Sequence, residues 1–160
     1  MFYTQIAKLG RAHVTATCGA RNISLIKELG ADEVLDYKTP EGASLTSPSG
    51  RKYDAVINCA SDITWSTFEP NLSTSGKVID VAATLKSLLI SVAKKVTFSK
   101  KQLMPLVLIP RGENLALLVD LVKEQKLRII VDSMYPLAEA KDAWAKIMDG
   151  HATGKVIVNI

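Results

Sequence analysis

A chain of 160 residues, 48% hydrophobic and 22% charged, is long enough to bury a core, and its length favours one domain. Its net charge of +4 comes from 20 Lys and Arg scattered among 16 Asp and Glu. The densest basic run, Lys94, Lys95, Lys100 and Lys101, reads as a solvated edge, so no nucleic-acid partner is expected. No apolar run reaches the roughly 18–20 residues that a membrane span needs. No signal-type apolar core opens the chain, so secretion is not expected. Cys18 and Cys59 each stand alone in an apolar run, with no Cys/His spacing that suggests a metal. Both read as small buried hydrophobes of a reducing compartment.

In chain order, residues 1–9 read as the back half of a helix, and "AHVTATC" as a strand bounded by Gly10 and Gly19. "NISLIKELG" has the rhythm of a helix, with Asn22 as N-cap and Gly30 as its stop. "DEVLDY" is a short strand. "KTPEGASLTSPSGRK" is a loop holding at most one helical turn. "YDAVINCAS" is nearly continuously apolar, as expected of a parallel strand covered on both faces. "TWSTFEPNLS" is a short helix, followed by the strands "KVIDVAA" and "KKVTFSK". "GENLALLVDLVKEQK" puts Leu115, Leu118, Val119 and Val122 on one helix face. "LRIIVDSMYP", "LAEAKDAWAKIMDG" and "GKVIVNI" read as strand, helix and closing strand, with a boundary near residues 126–128. This alternation predicts an α/β fold with a largely parallel sheet.

A dinucleotide fold announces itself as strand, G-x-G-x-x-G, helix. The 160 residues contain no such motif. They do contain the elements that come after it in such a fold: a helix, a second strand, and a turn where an adenosine ribose would lie. No nucleophile, catalytic acid or metal cluster is visible. Asp36, Asp54 and Asp80 read as capping or sheet-end residues, and His13 and His151 have no partner at useful spacing.

The segments "LGADEVLDYKTPEG", "KYDAVINCAS", "GKVID", "KKVTFSKKQL" and "PLAEAKDAWAKIMDGHATGKVIV" resemble the C-terminal half of zinc-independent medium-chain dehydrogenases/reductases. Within these they are most similar to the quinone oxidoreductase family of the plant chloroplast-envelope type. The resemblance implies a Rossmann-like, doubly wound, mostly parallel sheet, truncated so that its first strand and glycine-rich loop are absent. Residues 1–126 would be an incomplete NADP-binding domain. Residues 127–160 would be a segment that returns to an absent catalytic domain and leaves an apolar face exposed. The missing strand would lie between residues 13–18 and 54–60. Those strands would then close on each other, accept another chain, or leave a loose fold.

The resemblance also implies positions that touch the cofactor. Gly19, Arg21 and Asn22 match the turn that holds the adenosine ribose and its 2′-phosphate. Arg21 suits a 2′-phosphate, because its planar fork binds phosphate oxygens bidentately; NADPH is therefore expected over NADH. The plainer readings are a solvated arginine and a helix-capping Asn22. Tyr37 matches a residue beside the adenosine phosphate, or is a strand-end tyrosine over the sheet rim. Cys59, Ala60 and Ser61 match the turn under adenine and ribose. Val81, Ala82 and Ala83 match the turn near the nicotinamide, where relatives often carry glycine. Val96, Thr97 and Phe98 match a strand touching nicotinamide and the dimer seam, or a core strand. The implied activity is reduction of quinones or α,β-unsaturated carbonyls by NADPH without a metal, in a homo- or hetero-dimer. The implied location is the chloroplast envelope, with at most peripheral membrane contact, or the cytoplasm. A non-catalytic fragment that associates with a full-length homologue, or only binds nucleotide, is the second reading.

Overall fold

The protein is described from a computed structural model, which covers residues 1–60, 63–81, 83–107 and 109–160, with the Lys86 side chain outside the description. Its elements in chain order are α1 (Phe2–Leu9), β1 (Thr15–Cys18), α2 (Ile23–Glu28), β2 (Glu33–Asp36), α3 (Pro40–Ser44), β3 (Tyr53–Asn58), α4 (Trp65–Phe68), β4 (Leu72–Asp80), α5 (Leu85–Val96), β5 (Gln102–Pro105), α6 (Gly112–Lys123), β6 (Val131–Pro136), α7 (Ala140–Met148) and β7 (Lys155–Asn159). Strands and helices alternate from β1 onwards, and every strand pairing described is parallel. That is the expected α/β pattern. Two compact units result: His13–Arg111, and Met1–Ala12 with Gly112–Ile160.

The first unit holds two ladders, β1–β2 and β3–β4–β5. Among the described residues β1 and β3 do not pair, so the two strands do not close on each other. Gly30 stops α2 in a left-handed conformation (φ 98°), its N–H donating to Lys27 O at 2.9 Å. A side chain would strain that turn. The chain then enters β2 five residues after the helix end.

Glu33, first in β2, ties the ladder to the following loop. One carboxylate oxygen accepts from the hydroxyls of Thr15 and Ser47, each at 2.7 Å, and the other from Ser49 N–H at 3.1 Å. Burial alone would raise this carboxyl. The donors from Ser49, Ser47 and Thr15 outweigh it and bring the pKa from 4.5 down to about 2.

The core sits on β4. Val78 is completely buried, packed with Leu45, Phe68, Leu72 and Leu103, and Tyr53, Val56, Trp65 and Ile90 close around them. The β3–β4 register jumps from Tyr53↔Leu72 to Ala55↔Lys77, so β4 carries extra residues opposite Asp54. Gly76 lies in that irregularity. A Cβ there would stand 2.6 Å from Tyr53 O and 2.8 Å from Leu72 Cβ, so only glycine fits.

Three expectations are corrected. "KKVTFSK" is no strand: helix α5 runs through Val96, and the next strand begins at Gln102. A capping box fixes the start of α5, with Thr84 Oγ1 accepting from Ser87 N–H and Ser87 Oγ accepting from Thr84 N–H. The helix then runs on through residues that permit it, and the β-branched Val96 and Thr97 are absorbed at its end. Strand β3 is not covered on both faces, since Ala55 and Ile57 are exposed while Asn58 is buried. Cys59 is exposed rather than buried, because it lies past the end of β3, beyond the packed layer; Cys18 is half-buried.

In the second unit β6 pairs with β7, and α7 packs against both. The buried Gln5 holds α1 there: its amide donates to Arg128 O at 3.1 Å and accepts from Arg128 N–H at 2.7 Å. Within this unit Met134, Trp144, Ile147 and Met148 stand exposed. No helix among the described residues is long and apolar enough to cross a membrane.

Gly76→Ala is expected to lower stability by about 1–3 kcal/mol, the range for forced overpacking, read as a lower urea midpoint by circular dichroism. Glu33 is ionised more readily folded than unfolded. Its stabilisation is therefore complete above its ordinary value of 4.5 and lost as pH falls towards about 2. The urea midpoint of the wild type should fall between pH 5 and pH 2 more steeply than that of Glu33→Gln.

Candidate functional site

In parallel α/β sheets, ligands bind beyond the carboxyl ends of the strands. The expected site residues divide into three groups, two of them at those ends.

The first group caps β1 and β2. Tyr37 N–H donates to Cys18 O at 3.1 Å, which brings the ends of the two strands together. The Tyr37 hydroxyl lies 3.4 Å from where a Gly19 side chain would begin, so the phenol lies beside the glycine. Tyr37 is nevertheless 55% exposed. Gly19 is extended, and Ala20, Arg21 and Asn22 form one 3-10 turn leading into α2. Asn22 stands at the N-cap of α2 without a side-chain capping bond. Arg21, Gly19 and Tyr37 thus share one rim. Behind them, burial pushes the Cys18 thiol up, and the nearby Asp36 carboxylate adds to the effect.

The second group caps β3 and β4. Asn58 and Asp80, both buried, end paired strands in register. The Asn58 amide donates to Asp80 Oδ1 at 2.9 Å, and Asn58 Oδ1 accepts from Ala60 N–H at 3.1 Å. Val81 N–H donates to Asn58 O at 2.8 Å, and Leu106 N–H to Asp80 O at 2.9 Å. The side-chain pair thus holds the turn at Ala60, while the backbone carbonyls of the same two residues hold Val81 and the exit from β5. Ala83 follows next to the α5 cap. Ser61 and Ala82, also expected here, lie outside the described residues.

Sequence reasoning assigns Asp80 to a sheet end and passes over Asn58. The available signal is a lone Asn at the end of the apolar run "AVIN", matched by Asp at the end of "VID".

The third group is not brought to the others. Val96 ends α5, and Thr97 and Phe98 bond back into its last turn, to Ala93 O and Lys95 O. The 12 residues of α5 place them about 18 Å along the helix axis from its Thr84 cap.

The residue types at the first rim are compatible with a phosphorylated nucleotide: a phenol lies beside an extended glycine backbone at a strand end, and an arginine stands in the turn that follows. Among the described residues no group of three or more His, Cys, Asp and Glu is placed to hold a metal ion. Two shallow concavities, of about 360 and 270 Å³, lie in the other unit and share Gly154 and Lys155; neither is lined by an expected site residue.

A family model described as zinc-binding dehydrogenase matches residues 29–158. The chloroplast envelope quinone oxidoreductase homolog of Arabidopsis thaliana is 62% identical over 157 residues, covering 98% of this chain and 48% of the relative. The chloroplastic quinone-oxidoreductase homolog of Spinacia oleracea matches equally, at 62% over the same coverage. Among solved structures, the quinone oxidoreductase from Coxiella burnetii superposes with a TM-score of 0.80 at 28% identity, covering 98% of this chain and 48% of that one. The chain thus spans about half the length of the curated relatives it matches. It belongs to the zinc-binding dehydrogenase family, with chloroplast quinone oxidoreductase homologues as close relatives.

Proposed function

We propose that the chain is the nucleotide-binding part of an NADPH-dependent, metal-independent reductase of quinones or α,β-unsaturated carbonyls. By the resemblance, residues 1–126 are assigned to the nucleotide domain and residues 127–160 to a segment that returns towards the substrate side, although Met1–Ala12 and residues 112–126 fall in one compact unit with that segment. The observation that supports the reading is the Tyr37 phenol lying against Gly19 at the carboxyl ends of β1 and β2, with Arg21 in the turn that follows.

When bound, NADPH supplies the hydride. The chain's own residues bind and orient. Arg21 takes the 2′-phosphate through paired N–H donors, a role an acidic residue there would oppose. Tyr37 lies beside the adenosine, flanked by Gly19. The turn at Cys59–Ala60, held by Asn58 and Asp80, presents backbone to the ribose, and Val81 and Ala83 lead towards the nicotinamide end. For Val96, Thr97 and Phe98 a nicotinamide contact is not favoured, because α5 carries them away from this rim. The name of the Arabidopsis relative supports a chloroplast envelope location, and peripheral contact with the membrane surface is proposed with it.

A second reading, association with a full-length homologue, draws on β1 and β3, whose outer edges have no described strand partner.

Calorimetric titration of the chain with NADPH and NADH tests the cofactor reading. NADPH is expected to bind more tightly, and Arg21→Ala to weaken NADPH about tenfold to a hundredfold, the loss of a charged hydrogen-bond pair, while NADH changes little. Equal affinity for the two nucleotides, or equal losses for both in the variant, would overturn the assignment to Arg21.

A further inference from the structure

Helix α5 is packed inside out. Ser87 and Ser91 are buried, Ile90 is half-buried against the core, and Lys94 stands 4.9 Å from the Trp65 ring centre. The outward stripe is Leu85, Leu88, Leu89, Val92 and Val96, each 51–76% exposed. Those positions recur at helical spacing and make one continuous apolar face. Phe98, immediately beyond, is 92% exposed and held at φ 51°, a conformation that bulky side chains rarely adopt.

Charge distinguishes what covers this face. Between Asp80 and Glu113 the chain has no Asp or Glu, yet it has Lys86, Lys94, Lys95, Lys100, Lys101 and Arg111, more positive charge than the net +4 of the whole chain. Lys94 pairs with the Glu69 carboxylate at 2.9 Å, and Lys101 donates to Glu69 O at 2.7 Å. Lys95 and Lys100 remain exposed beside the apolar stripe. A second copy docked by two-fold symmetry would set these cations against themselves. An anionic bilayer surface accepts both the apolar stripe and the cations.

We infer that the leucine stripe of α5 and Phe98 form a membrane-surface face, seated at the headgroup boundary of an anionic leaflet with Lys95 and Lys100 on its headgroups. This deepens the envelope location proposed above and rests on it.

The test is flotation of the whole chain with vesicles of phosphatidylcholine alone and of phosphatidylcholine with phosphatidylglycerol. Binding is expected with the anionic vesicles only. Leu88→Gln with Leu89→Gln, and separately Lys95→Gln with Lys100→Gln, should each lower it about tenfold or more, while both keep the wild-type circular dichroism. The paired change Leu115→Gln with Leu117→Gln on α6 should leave binding unchanged. A Phe98→Trp probe should shift to the blue when anionic vesicles are added. Wild-type binding that neither α5 pair reduces would overturn the face while leaving the envelope location standing. No wild-type binding to anionic vesicles would overturn both. A chain that sediments as a dimer, becomes monomeric in the Leu88/Leu89 variant and ignores vesicles would assign the face to a second copy instead.

Discussion

The architecture of the site depends on one buried hydrogen bond, from the Asn58 amide to the Asp80 carboxylate. It joins adjacent parallel strands where both leave the sheet; Asn58 Oδ1 also accepts from Ala60 N–H, and the backbone carbonyls of Asn58 and Asp80 accept from the N–H groups of Val81 and Leu106. Buried polar groups are costly unless satisfied. Here one side-chain pair sets the turn at Ala60, beside two main-chain bonds from the same residues. Without the side-chain bond, two buried polar side chains would be left unsatisfied and Ala60 N–H would lose a fixed acceptor.

Around that anchor the unit is organised by polarity. Small hydroxyl residues are used as internal ties: Thr15, Ser47 and Ser49 on Glu33, Ser87 in the α5 cap, and Ser73 on Asp54. Large apolar residues are left outside on α5. A surface with buried serines and exposed leucines is the reverse of a solvated helix. The Glu69 carboxylate is another internal tie. It accepts from Lys94 and from the Trp65 ring N–H, and these charge-assisted bonds, led by Lys94, keep it below the usual carboxylate range. That neutralises one of the basic groups of the segment and fixes α4 against α5, while Lys95 and Lys100 remain at the surface.

Much of this is legible in the sequence. The β/α alternation, the Gly30 stop, the single turn in the 38–52 loop and the parallel pairing all arise from local chemistry, and the structure has them. The end of α5 is not, because Val96, Thr97 and Phe98 form a β-type run, while the signal that decides it, the Thr84–Ser87 capping box, lies a dozen residues upstream. Nor is the exposure of Ile57 and Cys59, since an apolar run records what a strand can bury and not what covers it. At the site, the resemblance to quinone oxidoreductases names Gly19 and Tyr37, and the structure sets the Tyr37 phenol beside Gly19. The Asn58–Asp80 pair is not, because it joins residues 22 apart that only strand register brings together.

Amide hydrogen exchange of the chain with and without saturating NADPH tests the central claim, that the carboxyl ends of β1–β4 form one nucleotide rim. The account predicts added protection at residues 19–22, at Tyr37, at Ala60 and at Val81, with none in α7 or β7. Protection confined to the Gly154–Lys155 concavities, with the strand ends unchanged, would contradict it.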